Sequence, residues 1–168
     1  RLGDYASAIK LYEQIKVNFK SENFNEDIEI AKIYAKMGQK AKSQAKLKFK
    51  KLFSSKNPTA YELYRAGKIY EFELRNYKLA RDYYLEAYKA AGDSVEVLLD
   101  VCDNLAVVYK KLNDDGNAKI YAEKELKLIE KKYKSIENYL AFKQYGPLRR
   151  GIVGRMYYCL GRNEEAYK

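Results

Sequence analysis

Apolar residues recur three and four positions apart along nearly the whole chain, and this rhythm limits what the chain can fold into more than any other feature. Ala8, Leu11, Tyr12 and Ile15 open the pattern, followed by Ile30, Ile33, Tyr34 and Met37, then Ala45, Phe49 and Leu52. It continues through Leu63, Ala66 and Tyr70, through Ala80, Tyr84 and Ala87, and through Leu105, Val108, Tyr109 and Leu112. Such spacing lays one apolar stripe along a helix and leaves its other faces polar. The strict alternation that a half-buried strand needs is absent. Short breakers divide the stripes at Met37-Gly38-Gln39, Ser54 to Pro58, Ala91 to Ser94 and Asn113 to Gly116. Gly38 and Gly92 suit the left-handed residue after a helix, and Ser94 and Asp115 suit N-caps. Pro147 suits a first helical turn, where its missing N–H costs nothing. The pattern predicts about seven to nine helices and no strands.

Composition narrows the chemistry. The 168 residues include no histidine, which removes Ser-His-Asp and Cys-His catalysis and most zinc sites as usually built. Cys102 and Cys159 stand too far apart to form a ligand cluster, and they sit beside apolar residues on helices, so buried, inert thiols are expected. No apolar run approaches the roughly 20 residues that span a bilayer. No glycine-rich phosphate loop is present, since Gly151-Ile152-Val153-Gly154 lacks the length and context of one. The expectation is a cytoplasmic protein that is not an enzyme and carries no cofactor or metal.

The net charge of +10 is local. Residues 31–56 hold nine lysines and no acid, while residues 1–30 and 57–100 each carry −2, residues 101–132 carry +1 and residues 133–168 carry +4. On a helix, Ala41, Ala45, Phe49 and Leu52 form a stripe, and Lys42, Lys46, Lys50 and Lys51 cover much of the remaining surface. Two readings stand open: a polyanion-binding patch for nucleic acid, or the solvent-facing side of one helix.

Aligned on their helices, the segments repeat. LGDYASAIKLYEQI, IAKIYAKMG, NLAVVYKKLNDDGNAKIYAEKEL and IVGRMYYCLGRNEEAYK share a small residue, an aromatic three later, a turn, and an alanine on a second helix. The small residue of the first helix is Ala31, Gly67, Ala106 and Gly154, and the aromatic is Tyr34, Tyr70, Tyr109 and Tyr157. The small residue of the second helix is Ala8, Ala45, Ala80, Ala118 and Ala166, with Tyr12, Phe49, Tyr84 and Ala122 four residues on. Small residues let two antiparallel helices approach, and the ring fills the wedge between neighbouring pairs. In these features the chain resembles the tetratricopeptide repeat family, whose unit is a helix-turn-helix of about 34 residues. Spacings between the first-helix small residues are larger than that, with extra residues expected in the turns and an insertion, as an extended or additional helix, from Glu130 to Tyr145.

The resemblance implies an all-α fold, a right-handed α-solenoid of antiparallel helix pairs. It divides residues 1–168 into the second helix of a cut repeat (1–19), repeats at 24–56, 58–91 and 95–134, an insertion at 135–146, and the start of a further repeat at 147–168. Neither end reads as a polar cap, so a longer parent chain is expected. The implied function is a non-catalytic scaffold that binds a peptide or partner protein, acidic in one version, in the concave groove lined by the first helices. Phasing places Lys32, Lys36, Tyr61, Tyr64, Arg65, Lys68, Asn104, Lys111, Arg155 and Tyr158 there, with Glu29, Phe72, Asp100, Asp103, Leu148 and Ile152 beside them. A carboxylate-clamping subclass matches poorly, since only Arg65 and Asn104 have compatible types. Asn104 instead resembles the asparagine that some repeats use to hold a peptide backbone. The alternatives are a polyanion-binding repeat and a recruiting arm of a larger enzyme or transcription regulator.

Overall fold

Local signals start each helix. Thr59 opens the first well-described pair with a reciprocal box: its hydroxyl accepts from Glu62 N at 3.3 Å while the Glu62 carboxylate accepts from Thr59 N at 2.8 Å. Asn76, Asp114 and Ser135 cap later helices through side-chain oxygens that accept backbone N–H groups three residues on. The cap before Gly116 is thus Asp114 rather than the expected Asp115, which is already helical. Ser94 precedes its helix without a side-chain capping bond.

The computed structural model describes residues 5–18, 29, 30, 33, 57–141 and 146–166, and among these the chain is all α with no strand. Helix α1 covers Tyr5–Asn18 and α2 covers Ala60–Lys68, which runs directly into a π-helical turn at Ile69–Glu73. Then come α3 (Tyr77–Ala90), α4 (Val95–Lys111), α5 (Asp115–Tyr133), α6 (Ile136–Leu140), α7 (Gly146–Leu160) and α8 (Asn163–Ala166). None of these helices is long and apolar enough to cross a membrane. Helices α2 and α3, α4 and α5, and α7 and α8 pack as pairs. α3 joins the next pair through α4, and α5 does so through α7. α2 also touches α4, and α4 touches α7, so the first helices of the pairs lie along one side.

The small residues do the work expected of them. A Cβ added at Gly67 would lie 2.4 Å from the Tyr84 ring, and one at Gly154 would lie 3.0 Å from the Ala166 carbonyl oxygen. Ala80, Ala118, Ala122, Leu105 and Val108 are fully buried around them. Tyrosines fill the wedges: Tyr70 stacks on Tyr83 with centroids 5.1 Å apart, and Tyr109 stacks on Tyr121 at 5.6 Å. Burial pushes the phenols of Tyr64, Tyr70 and Tyr84 well above the ordinary tyrosine value, and those of Tyr121 and Tyr139 up to about 12.

Helix pairs differ at one point. Gly67 and Ala80 are thirteen positions apart, whereas Ala106 and Ala118, and Gly154 and Ala166, are twelve apart. The extra residue was expected in the turn between helices, but it lies inside the first helix. Leu74 N donates to Ile69 O at 3.0 Å, a bond that spans five residues and defines the π-helical turn. The junctions that follow are alike: Arg75 (φ 50°), Asn113 (φ 59°) and Gly161 (φ 76°) each take the left-handed conformation just ahead of the second helix.

The insertion after residue 130 resolves into the end of α5 and an additional short helix. Lys134, left-handed at φ 72°, ends α5, and α6 follows at once. The Arg149 guanidinium of α7 holds α6 in place, 4.4 Å from the Tyr139 ring centroid and 5.0 Å from that of Tyr133. It also donates to the Tyr139 carbonyl at 2.6 Å. Cys102 and Cys159 are buried free thiols, pushed by burial to about 12 and about 11.

Candidate functional site

Three hollows run along the side formed by the first helices. The first, about 370 Å³, is lined by Glu29, Tyr61, Tyr64, Arg65, Lys68, Ile69, Phe72 and Glu73. The second, about 410 Å³, lies among α2, α4 and α7, and Tyr64, Lys68 and Phe72 also border the first. The third, about 310 Å³, sits between α4 and α7 and shares Val107, Lys111 and Arg155 with the second. Shared walls make one stepped groove.

Tyr61, Arg65, Lys68, Asn104, Lys111, Arg155 and Tyr158 all line one or more hollows, and so does Tyr64, although its ring is mostly buried at 8% exposure. Lys32 and Lys36, and the lysines of the polyanion patch, Lys42, Lys46, Lys50 and Lys51, lie outside the described residues. So do Ala31, Tyr34, Gly38, Ala45 and Phe49.

The cations of the groove have partners of their own. Arg65 pairs with Glu29 at 2.5 Å, and Arg155 donates twice to Asp103, at 3.0 and 2.5 Å. Lys110 meets Asp115 at 2.9 Å, and Lys111 meets Glu71 at 2.8 Å. Lys68 rests 5.6 Å from the Tyr64 ring centroid. Desolvation holds the Asp100 carboxyl above its ordinary range, partly offset by the Lys68 charge.

Beneath the groove lies a polar network that helical phasing missed. Glu71, in the π-helical turn, is 2% exposed. One of its oxygens accepts from Lys111 and the other accepts from the Tyr84 hydroxyl at 2.8 Å. Asn104 Nδ2 donates to the Asp100 carbonyl at 2.7 Å and to the Tyr64 hydroxyl at 3.4 Å. Both amide hydrogens are thereby engaged, and Oδ1 lies 3.5 Å from the Tyr84 hydroxyl, within reach of that donor. A second buried acid, Glu125 of α5, is also 2% exposed, and its Oε2 has no hydrogen-bond partner among the described residues. Burial raises its carboxyl well above the usual range, and Asp103 and Asp100 add to the rise while Arg155 opposes it. No signal in helical phasing marks either glutamate, because charged residues read as surface.

Among the described residues no group of three or more His, Cys, Asp or Glu side chains is placed to hold a metal ion. The arrangement offers a long surface with apolar projections, along which most of the cations pair with acids of the same surface.

No curated protein and no solved structure matches the chain. Residues 99–132, spanning most of α4 and α5, match the family model of the tetratricopeptide repeat. The helix pair α4–α5 thus matches a repeat of this family, whose repeats generally mediate protein–protein interaction.

Proposed function

We propose that this tetratricopeptide-repeat chain is a non-catalytic interaction scaffold whose stepped groove, along α2, α4 and α7, receives a segment of a partner protein. One observation carries the reading. Tyr61, Phe72, Leu148 and Tyr158, each 55–62% exposed, are four of the six large apolar side chains exposed among the described residues, and all four line the groove. A row of exposed apolar side chains in a concave surface favours a partner that buries them, since each gains about 25 cal/mol per Å² removed from water. The family's general role in protein contacts agrees with this.

Peptides selected from a displayed random library against the protein test the reading. Phe72→Ser and Leu148→Asp are expected to weaken the selected peptides about tenfold or more, the scale of an interface hot spot. Ile120→Asp, an exposed apolar site on α5 away from the groove, serves as the control and leaves binding unchanged. Peptides that respond to Ile120 and ignore Phe72 and Leu148 would overturn the reading.

A further inference from the structure

Two adjacent residues stand the wrong way round for stability alone. Glu71 is 2% exposed and Phe72 is 57% exposed. A fold built only to bury apolar surface would place them in reverse, because an ionised carboxylate taken out of water is costly and an exposed phenyl ring forgoes burial. Both lie in the π-helical turn, whose extra residue separates this helix pair from the other two. Local rules are broken mainly where function asks for it, and π-turns concentrate at such places.

We propose that Glu71 decides which partner segments the groove accepts: by holding Lys111 from below, it cancels the central cation of the groove and leaves a surface for uncharged aromatic or aliphatic side chains. The proposal rests on the groove reading above and names the chemistry of the partner. Lys111 borders both the second and the third hollow, so its charge bears on most of the groove. Its ammonium is drawn aside to Glu71 and lies 4.9 Å from the Tyr77 ring centroid and 5.6 Å from that of Phe72. Glu71 cannot swing away, because its other oxygen holds the hydroxyl of Tyr84, a fully buried ring.

The other pairs of the groove are less secure. Glu29, Asp103 and Asp115 keep 28%, 16% and 66% of their side-chain surface, against 1% for Glu71. Exposed pairs are screened by salt and exchange readily with water or an incoming ligand, whereas a buried carboxylate is screened far less. Glu71 is therefore the acid whose removal changes the charge that a partner meets. With it in place, Phe72, Leu148, Val107 and Ile152 form the apolar wall of the second hollow, beside Lys68 and Asp100, whose charges oppose each other, and the Arg155–Asp103 pair. The groove so described does not favour the acidic peptide expected from the row of basic residues in the sequence.

Parallel selections from the displayed random-peptide library against the wild type, Glu71→Gln and the double variant Glu71→Gln with Lys111→Met test the proposal. Glutamine keeps an acceptor for the Tyr84 hydroxyl while freeing Lys111. The wild type is expected to select apolar and aromatic peptides poor in Asp and Glu, with affinities changing less than about twofold across added salt. Glu71→Gln is expected to select acidic peptides that weaken about tenfold over the same range, and the double variant to return to the wild-type preference. Acidic peptides from the wild type, or equal acid content from wild type and Glu71→Gln, would overturn the proposal while leaving the groove reading intact. Peptides that bind all three proteins but ignore Phe72→Ser and Leu148→Asp would overturn the groove reading itself, and the proposal with it. Should Glu71→Gln lose helical circular dichroism, Lys111→Met alone gives the reciprocal readout. It uncovers the buried carboxylate and shifts selection towards basic peptides, and an unchanged preference would count against the proposal.

Discussion

The pairs α2–α3 and α4–α5 solve the same packing problem with opposite choices of size. In the first, a glycine on one helix lies against a large ring on the other, with the Tyr84 ring filling the space a Cβ at Gly67 would need. In the second, the equivalent positions hold Ala106 and Ala122, both buried and both small. Each pair also buries one glutamate, and these differ as well. Glu71 uses both carboxylate oxygens, on Lys111 and Tyr84, while Glu125 leaves one oxygen without a partner among the described residues. The ring that requires a glycine is thus the ring that satisfies a buried acid. The pair without such a ring also holds a buried acid, on its second helix, whose Oε2 has no hydrogen-bond partner among the described residues. Size complementarity and polar satisfaction are coupled in this repeat, and exchanging one without the other should show it.

The largest effect is expected at Gly67. Gly67→Ala forces a methyl group onto the Tyr84 ring and should cost about 1–3 kcal/mol in urea unfolding. Adding Tyr84→Ala recreates the two-alanine arrangement of α4–α5. The double variant should then lose less than the sum of the two single losses, a coupling measurable by a double-mutant cycle. Strict additivity would mean that the two pairs are not alternative solutions of one geometry.

A smaller effect, read through pH, should come from Glu125. Its folded-state carboxyl is raised, so the folded protein binds this proton more tightly than the unfolded chain. The contribution to stability is therefore full at acid pH and falls as pH rises from the unfolded value of about 4.3 towards the raised folded one. Each unit of the rise costs about 1.4 kcal/mol at pH values above both. Glu125→Gln should remove that slope, so that the variant gains on the wild type between pH 5 and pH 8 in denaturant titrations. The groups facing this carboxyl, Asp100 and Asp103 on α4 and Arg155 on α7, remain in both proteins. A constant difference across that range would show that Glu125 does not take up a proton on folding.

The smallest effect concerns the junctions. Arg75 and Asn113 hold the same left-handed conformation, but asparagine tolerates it and arginine does not. Arg75→Gly should raise stability by about 0.5 kcal/mol after the entropy that glycine adds to the unfolded chain, and Asn113→Gly should change it little. Thermal melts of the two variants side by side decide this.

Much of the fold was readable because burial repeats with the helix. Gly67, Ala106 and Gly154 and the rings at Tyr70, Tyr109 and Tyr157 stand out by type and interval, and the packing needs those types there. The groove-lining positions of α2, α4 and α7 followed from the same phase. Two things stayed hidden for a physical reason. The additional residue of the first pair has no mark of its own, since Ile-Tyr-Glu-Phe-Glu suits an α-helix as well as a π-turn, and only the distance to Ala80 betrays it. The internal charge pairs were also invisible, because a lysine at a groove position looks the same whether it faces a ligand or reaches down to Glu71. Phasing thus set cations and acids side by side in the groove, and the contacts show which of them pair.

The buried phenols have an optical consequence. The chain has eighteen tyrosines and no tryptophan, so its near-ultraviolet absorbance comes almost wholly from phenol groups. Burial holds the protons of Tyr64, Tyr70 and Tyr84 until their surroundings come apart. Alkali therefore draws the phenolate signal of these three rings abruptly, when the interior opens. That step lets the chain report the loss of its own core as a change of colour, without an attached label.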